Sequence, residues 1–491
     1  MKSSFGIIRL NFSLNKIILL AGLSVFFFQV AWSQDTHHWS NQFGTRAALL
    51  GGAVLTDTVD NAGVYYNPAN LAFLDTSSLS INANLYGLEN IEIQNALGQK
   101  QNFQGLQLNT VPLLISGTLR NKSDWNLSYA LITPVSFKFN GLARIDQNID
   151  IIKEEDSPGL EDLVAESGLN TRVQETSVVF GLGKRLNPNF GFGFSLINTF
   201  RNVEYNYRFS AKTFANVDPP FLISRSQNEF VNYWSLRSAI KAGLNYQKAS
   251  YGLALTVQSP GINWMGNGEI AEDITITNLR LSEDGDRLTG FGSARQEKLK
   301  SNYKSPFQLS IGGHKQFNNS IISLNITHFG GVDTYRIIEA QPGDFIRPAS
   351  LASDDLNPEN FLNVETAMRA VTNFALGYET RLNSGLKLLG SFRTDFSYYD
   401  SGPTLGEQIT TELTQWDIYH FTLGSVFEKD RSSLTLGLVG SFGGTSSYIQ
   451  ENSFSSNGQP SDLEGALTIT QAKYSNIGLL IGYSFRFKKF N

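Results

Sequence analysis

Apolar residues alternate with small or polar residues along many segments of the chain. In segment 432–443, every second residue from Leu434 to Phe442 is leucine, glycine or phenylalanine, and threonine, glycine, valine or serine stands between them. The same alternation recurs at 190–201 and 474–487. A period of two is typical of β-strands that have one apolar and one polar face. Such strands occur in half-buried soluble sheets and in membrane barrels, which are apolar outside and polar inside.

The alternating segments predict an all-β chain with fourteen strands. Each predicted strand is a run of period-two alternation bounded by turn residues. The predicted strands lie near 77–88, 103–119, 124–139, 172–186, 189–209, 230–247, 250–265, 301–317, 320–334, 364–382, 385–399, 416–428, 432–447 and 473–489.

The connections between these strands alternate in length. Each even-numbered strand is followed by a short turn, and each odd-numbered strand by a longer connection. The short turns lie at 121–123, 187–189, 247–249, 318–319, 383–384 and 429–431. Outer-membrane barrels have short periplasmic turns and long outer loops, whereas a soluble β-sandwich, the alternative, gives no reason for all long loops to lie at one end. We therefore predict an all-β membrane protein, a 14-stranded antiparallel outer-membrane β-barrel over residues 76–491 with both ends in the periplasm.

The first residues have the pattern of a secretory signal. Three basic residues precede an apolar run from Ile17 to Val30, and Ala31-Trp32-Ser33 follows as a small-x-small cleavage site. The run is shorter than the ~20 residues of a membrane-spanning helix, although an N-terminal anchor helix is the alternative. We predict a signal peptide over 1–33, cleavage before Gln34, and localisation in the outer membrane.

Composition narrows the possible functions. Charged residues make up 17% of the chain, below the ~25% of typical soluble proteins. The absence of cysteine excludes disulfide scaffolds, thiolate metal sites, cysteine nucleophiles and a lipoprotein anchor. The formal charge of −5, without a basic block, gives no footprint for nucleic acid.

Candidate catalytic and metal-binding residues are few. The chain has no G-x-S-x-G elbow and no Gly-rich phosphate loop. Strand parity directs His420 to the lumen and His328 to the lipid, and the sequence pattern gives neither a clear Ser or Asp partner. The acidic run 283–286 lacks the spacing of a calcium loop, and His37-His38 is an isolated pair. We predict no enzyme activity, no cofactor and no metal site.

A segment before the first strand, residues 34–75, is too apolar and too rich in glycine and alanine for a solvated tail. It is also too short to fold alone, so the barrel lumen is the environment that suits it. Its stretch 44–74 contains Tyr66-Asn67-Pro68-Ala69 and resembles the N-terminal region of the FadL family. These proteins, TodX-type members included, are outer-membrane transporters of long-chain fatty acids and other hydrophobic compounds. Stretches 242–260 and 305–312 are also similar to the family.

The resemblance implies a fourteen-stranded barrel plugged by an N-terminal hatch over 34–75, in which Asn67, Pro68 and Ala69 form the signature turn. It further implies passive uptake of a hydrophobic small molecule, such as a long-chain fatty acid, through an outer-loop groove, the plugged lumen and a lateral wall opening. The partners would be outer-membrane lipid and the ligand, with the protein a monomer. The alternative is a non-transporting barrel of the same family that acts as a scaffold for protein secretion or surface attachment.

Pro134 interrupts an otherwise good strand. Proline cannot donate to a β-ladder, so it bends or interrupts pairing. The FadL family has an inward kink in its third strand that opens the wall sideways, and Pro134 lies in the predicted third strand. We expect the lateral opening at Thr133, Pro134 and Val135, with Asn67–Ala69 packed against it. A harmless proline at the barrel rim is the alternative.

The connection 140–171 contains a predicted short helix. Ser157 as N-cap, Pro158 at the first helical position and a closing Gly168 favour a helix over 157–168. Leu160, Leu163 and Val164 would share its apolar face and form one lip of an outer hydrophobic groove. Packing against neighbouring loops is the alternative.

Two arginines are predicted near the middle of strands with their side chains in the lumen, Arg237 and Arg393. Either could pair with the carboxylate of a fatty acid. The alternative is a ladder of lumen charges that satisfy one another, because a buried charge needs a partner.

Overall fold

The computed structural model describes residues 35–58, 61–74, 77–98, 100–120, 125–152, 155–280, 286–343, 362–400, 409–454, 463 and 466–487. The predicted signal peptide at 1–33 lies outside these residues. The described chain is mostly β-structure, with one short α-helix, α1 (Gly63–Tyr66), and one 3₁₀-helix (Pro68–Phe73). None of the described helices is long and apolar enough to cross a bilayer.

The strands of the described residues follow one another along the chain. They are β1 (Ser78–Ile93), β2 (Phe103–Arg120), β3 (Trp125–Ile132), β4 (Ser136–Ile149), β5 (Glu161–Asn187), β6 (Phe190–Phe214), β7 (Leu222–Gln247), β8 (Tyr251–Gln258), β9 (Ile262–Arg280), β10 (Arg287–Leu299), β11 (Gln308–Phe317), β12 (Ser320–Phe329), β13 (Val332–Ile338), β14 (Val364–Met368), β15 (Val371–Asn383), β16 (Leu386–Asp395), β17 (Asp417–Lys429), β18 (Ser432–Ser453) and β19 (Ala466–Arg486).

The sheet closes on itself, because β1 pairs with both β2 and β19. Three barrel strands are interrupted and are each built from two pieces, β3 with β4, β8 with β9 and β10 with β11. Counted in this way, the barrel has fourteen antiparallel strands, and β13 and β14 form a separate hairpin. The prediction of a 14-stranded antiparallel barrel is confirmed.

One end of the barrel carries short turns and the other carries long loops. We call them the short-turn end and the long-loop end. Strands β5, β6 and β7 extend far towards the long-loop end, so most of the predicted connection 140–171 and much of 266–300 is strand. In the sequence these extensions resemble loops, because their outward side chains are polar.

The helix predicted over 157–168 is wrong. β5 begins at Glu161, and its residues pair with β4 on one side and with β6 on the other. Leu163 is fully buried whereas Leu160 is exposed, and Val164 points to the opposite face of the strand from Leu163. Two-sided ladder pairing therefore overrides the local capping signals, and these three residues do not share a face.

The outward face of the barrel has an apolar band. On β6 the outward residues from Phe192 to Phe200 are apolar except for Asn198, and those from Asn202 to Lys212 are polar. The ring of Phe200 stacks on Trp234 of β7 at 5.8 Å between centroids. Aromatic residues mark the membrane boundary in such barrels, so the band ends near Phe200 on its long-loop side.

The lumen contains residues 35–58 and 61–74, which we call the hatch segment. Its backbone carbonyls accept hydrogen bonds from inward-facing side chains, such as Ser195 Oγ to Val64 O at 2.6 Å. Asn67 caps the 3₁₀-helix, because its Oδ1 accepts from Ala69 N at 3.0 Å while its Nδ2 donates to Leu55 O at 2.8 Å. The Asn67-Pro68-Ala69 turn is thus fixed by its own side chain and by the hatch backbone.

Charged groups tie the hatch segment to the short-turn end of the wall. Arg46 of the hatch forms ion pairs with Asp57 at 2.5 Å and with Glu379 of β15. Lys387 of β16 lies 3.8 Å from Glu379 and 2.7 Å from Glu428 of β17. This network crosses three barrel strands and holds the lower part of the hatch.

Close packing between wall and hatch makes Gly193 of β6 a sensitive position. A Cβ atom there would lie 2.4 Å from the carbonyl carbon of Pro68, whereas a Cβ at Gly440 of β18 would meet nothing within 4 Å. We predict that Gly193→Ala lowers the free energy of unfolding by ~1–3 kcal/mol through overpacking, and that Gly440→Ala does not. Urea titration of both variants in lipid vesicles measures the difference. Equal stability would contradict the contact.

Candidate functional site

The barrel wall is interrupted beside Pro134. β3 ends at Ile132 and β4 begins at Ser136, and both pieces pair with β5. On the opposite edge, β2 pairs with β3 only as far as Leu114↔Ile132, and in the described residues no ladder joins β2 to β4. We call this gap in the ladder the β2–β4 seam. The predicted residues Thr133, Pro134 and Val135 lie at its base.

Side chains close the β2–β4 seam in place of hydrogen bonds. Phe139 of β4 is fully buried against Gly105 of β2, and its ring lies 6.2 Å from that of Phe103. At the base, Asn41 of the hatch segment donates from Nδ2 to Thr133 O at 3.1 Å. Side-chain packing and this hydrogen bond therefore take the place of a ladder between β2 and β4.

The Asn67-Pro68-Ala69 turn does not lie at the kink, so that expectation is wrong. The turn packs against β6 and β7, where Gly193 and Gly243 leave room for Pro68 and Asn67. The hatch residue that hydrogen-bonds to the interruption is Asn41, through Thr133 O. Sequence reasoning missed it because a single asparagine in a hatch has no signature of its own.

A cavity of about 100 Å³ lies inside the wall behind Pro134 and Val135. We call it the lumen cavity. The hatch contributes His37, His38 and Tyr65 to its lining. The barrel contributes, among others, Glu175, Ser177, Thr199, Arg201, Arg237, Gln258, Tyr303, Ser305, Pro306 and Phe329. The cavity therefore combines charged, polar and aromatic surfaces.

A buried charge cluster lines the lumen cavity. Glu175 accepts hydrogen bonds from Arg201 Nη1 at 2.9 Å and from Arg237 Nη2 at 2.7 Å. The ring of Tyr303 lies over both guanidinium groups, at 3.8 and 5.1 Å from their central carbons. Two cations share one carboxylate, so the cluster carries one excess positive charge. Among the described residues, Arg237 Nη1 has no hydrogen-bond partner.

Arg393, the other predicted carboxylate-binding residue, has a different environment. It donates to the carbonyl oxygens of Trp39 and Ser40 in the hatch segment, and its Nη1 lies 4.0 Å from Asp395. It does not line the lumen cavity. Its contacts make it an anchor for the hatch backbone, and the structure does not bring it together with Arg237.

The first described residues of the hatch segment lie under the loop between β16 and β17. Asp35 accepts from the backbone N–H groups of Leu413 at 2.7 Å and Thr414 at 3.1 Å. His37 Nε2 donates to Trp416 O at 2.9 Å, and the ring of His38 stacks on Phe329 at 4.3 Å. The histidine pair therefore has packing and hydrogen-bond roles, and no group in the described residues could hold a metal ion.

A second cavity, of about 60 Å³, lies across the hatch segment from the first. In it His420 Nδ1 lies 2.7 Å from Ser441 Oγ, and His420 Nε2 lies 3.7 Å from Asp395 Oδ2. The alternation along a single strand did not reveal these neighbours of His420, because it shows which face a residue lies on and not which residue of the next strand lies beside it. The 3.7 Å distance is too long for a hydrogen bond, so the carboxylate does not orient the imidazole as a catalytic triad requires.

Three solved structures share this architecture. A Pseudomonas aeruginosa FadL homologue matches with a TM-score of 0.55 and 12% identity, over 94% of this chain and 99% of that chain. The Pseudomonas putida toluene transporter TodX matches with a TM-score of 0.54 and 14% identity, over 94% and 100%. The Ralstonia pickettii toluene transporter TbuX matches with a TM-score of 0.50 and 12% identity, over 91% and 99%. No protein-family model and no curated protein matches the chain.

These structural matches, at sequence identities of 12–14%, establish the fold alone. The chain has the barrel fold of FadL homologues and TodX, and the resemblance found in the sequence is confirmed at that level.

Acidic pH should stabilise the contact between Asp35 and the loop above it. Burial, with a smaller contribution from the nearby carboxylate of Asp35, raises the pKa of Glu412 to about 7, although the hydrogen bond that Thr366 Oγ1 donates to it acts in the opposite direction. An acid whose pKa rises on folding favours the folded contact at low pH and loses that contribution as the pH rises through the raised pKa. We predict faster hydrogen–deuterium exchange of 409–416 at pH 8 than at pH 5, after correction for intrinsic rates.

Glu412→Gln should reduce this pH dependence, because the amide does not ionise. The exposed Glu339 offers a control, and Glu339→Gln should leave the difference intact. Equal corrected exchange at both pH values in the unmodified chain would contradict the prediction.

Proposed function

We propose that the protein is an outer-membrane channel for passive uptake of hydrophobic small molecules that carry an anionic head group, such as long-chain fatty acids. The observation that carries the proposal is the position of the lumen cavity, which has the Glu175–Arg201–Arg237 cluster on one side and the Pro134 kink on another. The protein acts as a monomer and contacts outer-membrane lipid through its apolar band.

The lateral route follows from the physics of the ligand. An alkyl chain that leaves through the wall stays out of water, which is worth ~0.8 kcal/mol for each CH₂ group. The kink lies next to the boundary of the apolar band, because Ile132 pairs with Ser177 and Val178 begins the exposed apolar residues of β5. A ligand that leaves at the base of the β2–β4 seam therefore meets lipid. The ion pairs of Arg46 hold the hatch below the cavity and favour this sideways exit over the short-turn end.

The charge cluster supports an anionic head group. Its excess positive charge is buried, and a carboxylate would compensate it through a charge-assisted hydrogen bond to Arg237 Nη1. TodX and TbuX are named as toluene transporters, and toluene is neutral and needs no cation. The cluster thus favours fatty acids over neutral hydrocarbons for this chain.

Removal of the Arg237 guanidinium tests the head-group assignment. We predict that cells producing the protein take up labelled palmitate faster than cells without it, and that Arg237→Gln lowers palmitate uptake at least tenfold, equivalent to ~1.4 kcal/mol of a charge-assisted contact. Toluene uptake, if any, should not fall with it. Arg225→Gln, on the same strand but outside the cavity, serves as the control.

Equal palmitate uptake with and without the protein would overturn the proposed transport. Co-purification of an exported protein in that case would favour the scaffold alternative, in which the barrel supports protein secretion or surface attachment.

The proline tests the lateral opening. Pro134→Val supplies a backbone donor and a residue with high β-propensity, so we expect additional pairing between β2 and β4 and slower palmitate uptake. Pro158→Val, at an exposed loop proline, should leave uptake unchanged. The measurement compares uptake at equal amounts of folded barrel in the membrane. Transport of Pro134→Val protein at the unmodified rate would remove the proline from the gate.

A further inference from the structure

The wall has a second interruption, on the side of the lumen cavity opposite Pro134. β8 and β11 pair up to Gln258↔Gln308, and β9 and β10 pair from Gly268↔Leu299. Between these two ladders, residues 259–267 face residues 300–307 without a ladder among the described pairs. We call this gap the β9–β11 seam. Pro260 and Pro306, which cannot donate, lie within it.

The two seams are joined by one row of cross-strand pairs in the barrel wall: Ile132↔Ser177, Ser177↔Thr199, Thr199↔Arg237 and Arg237↔Asn263. Both seams therefore lie near the boundary of the apolar band that Phe200 and Trp234 mark. The β9–β11 seam is not a fraying strand end, because regular ladders continue on both sides of it.

Few hydrogen bonds hold the β9–β11 seam. Gly261 N donates to Ser305 O at 3.2 Å, and Asn263 Nδ2 donates to Ser301 O at 3.1 Å. Between these two contacts the chain turns into the lumen, where Tyr303 packs on the guanidinium of Arg201. These two hydrogen bonds and the inward-turned segment around Tyr303 thus replace the regular ladder at this point of the wall.

The lumen cavity extends to this seam as well as to the first. Gln258, Ser305 and Pro306 line it at one end and Pro134 and Val135 at the other. The side chain of Arg237 packs against the seam, because a Cβ atom built at Gly261 would lie 3.1 Å from Arg237 Cδ. In the described residues, the buried Gln258 Oε1 and Arg237 Nη1 both lack a hydrogen-bond partner.

The outer surface of the seam is apolar. Ile262, Trp264 and Met265 of β9 are 61%, 65% and 55% exposed, and Phe307 is 39% exposed. Trp264 Nε1 donates to Ser238 Oγ at 2.8 Å, which holds the indole against the wall beside the gap. An alkyl chain that emerged here would contact these side chains and then lipid.

We propose that the β9–β11 seam is a second lateral portal for the acyl chain of an anionic amphiphile, parallel to the β2–β4 seam. The inference rests on the proposed uptake function. The cavity of about 100 Å³ is smaller than the ~300–1,000 Å³ pockets that enclose drug-sized ligands. It accommodates a head group at Arg237, while the chain extends through a seam. Displacement of the Ser305-Pro306 segment from Gly261 opens the second portal.

A reversible crosslink tests the portal directly. The chain has no cysteine, so an introduced pair is the only possible disulfide. A Cβ at Gly261 would lie 3.5 Å from the Cβ of Ser305, within the ~3.5–4.5 Å that disulfides span. The variant Gly261→Cys/Ser305→Cys can therefore be locked by oxidation and released by reduction. The control Ser78→Cys/Thr118→Cys replaces two hydroxyl groups 2.8 Å apart at a directly paired position of the β1–β2 ladder, at the short-turn end.

We expect palmitate uptake by the oxidised Gly261→Cys/Ser305→Cys protein to fall, and reduction to restore it. The same pair in the Pro134→Val background should lose most of the remaining uptake on oxidation, because both seams are then closed. The control pair should transport equally in both redox states. Each protein is compared with its own reduced form, so effects of the substitutions on folding cancel.

Equal uptake by the oxidised and reduced test pair, in both backgrounds, would overturn the second portal while palmitate uptake by the unmodified protein still supports the proposed function. If the unmodified protein gives no uptake, both inferences fail together. A palmitate analogue with a diazirine at its methyl end gives an independent readout on the unmodified protein. Crosslinks at Trp264, Met265 or Phe307 are expected, and crosslinks confined to β2 and β4 would overturn the portal.

Discussion

Every peptide group in a lipid-facing wall must find a hydrogen-bond partner within the protein, because the bilayer core offers none. A closed sheet meets this demand, and the pairing of β1 with β19 completes it here. The same demand limits where the wall can be broken. A break is tolerated only where other groups take over the freed donors and acceptors.

Both breaks in this barrel meet that condition from inside. At the first, Asn41 of the hatch segment donates to the carbonyl oxygen of Thr133. At the second, Asn302 N donates to Ile337 O of β13 at 2.8 Å, so a loop hairpin takes the place of the missing strand neighbour. The contents of the lumen are therefore part of the wall's hydrogen bonding. This dependence explains why the interrupted strands, the hatch and the outer hairpin occur in one molecule.

The sequence predicts the barrel well, because membrane-level strands have a strict period of two and tight turns separate their pairs. It does not predict the extensions of β5, β6 and β7 beyond the membrane level. Residues such as Glu166 and Arg208 are polar on their outward face, above the apolar band, and so the strand resembles a loop. Ser157-Pro158-Gly159 adds a helix-like start that long-range pairing overrides. Pro134 was recognisable because proline has a direct effect on a ladder.

The charge cluster and the β9–β11 seam could not be predicted from the sequence, for a different reason. Arg237 was identified by its position in the middle of a strand, but Glu175 and Tyr303 come from distant parts of the chain. Their meeting depends on register across several strands, which single-strand patterns do not contain. Likewise, Pro260 and Pro306 are separated in the chain and become neighbours only when β8 and β11 pair.

The path of the hatch segment constrains how the molecule is assembled. Asp35 lies beneath Leu413 near the long-loop end, while the segment leaves the lumen at the opposite end, where β1 begins. The segment therefore runs the length of the closed tube and is held at both ends. Since β1 and β19 are the first and last barrel strands, their pairing completes the wall that surrounds the hatch segment. Withdrawal of the segment along the barrel axis would then break its contacts with Leu413 and with Glu379.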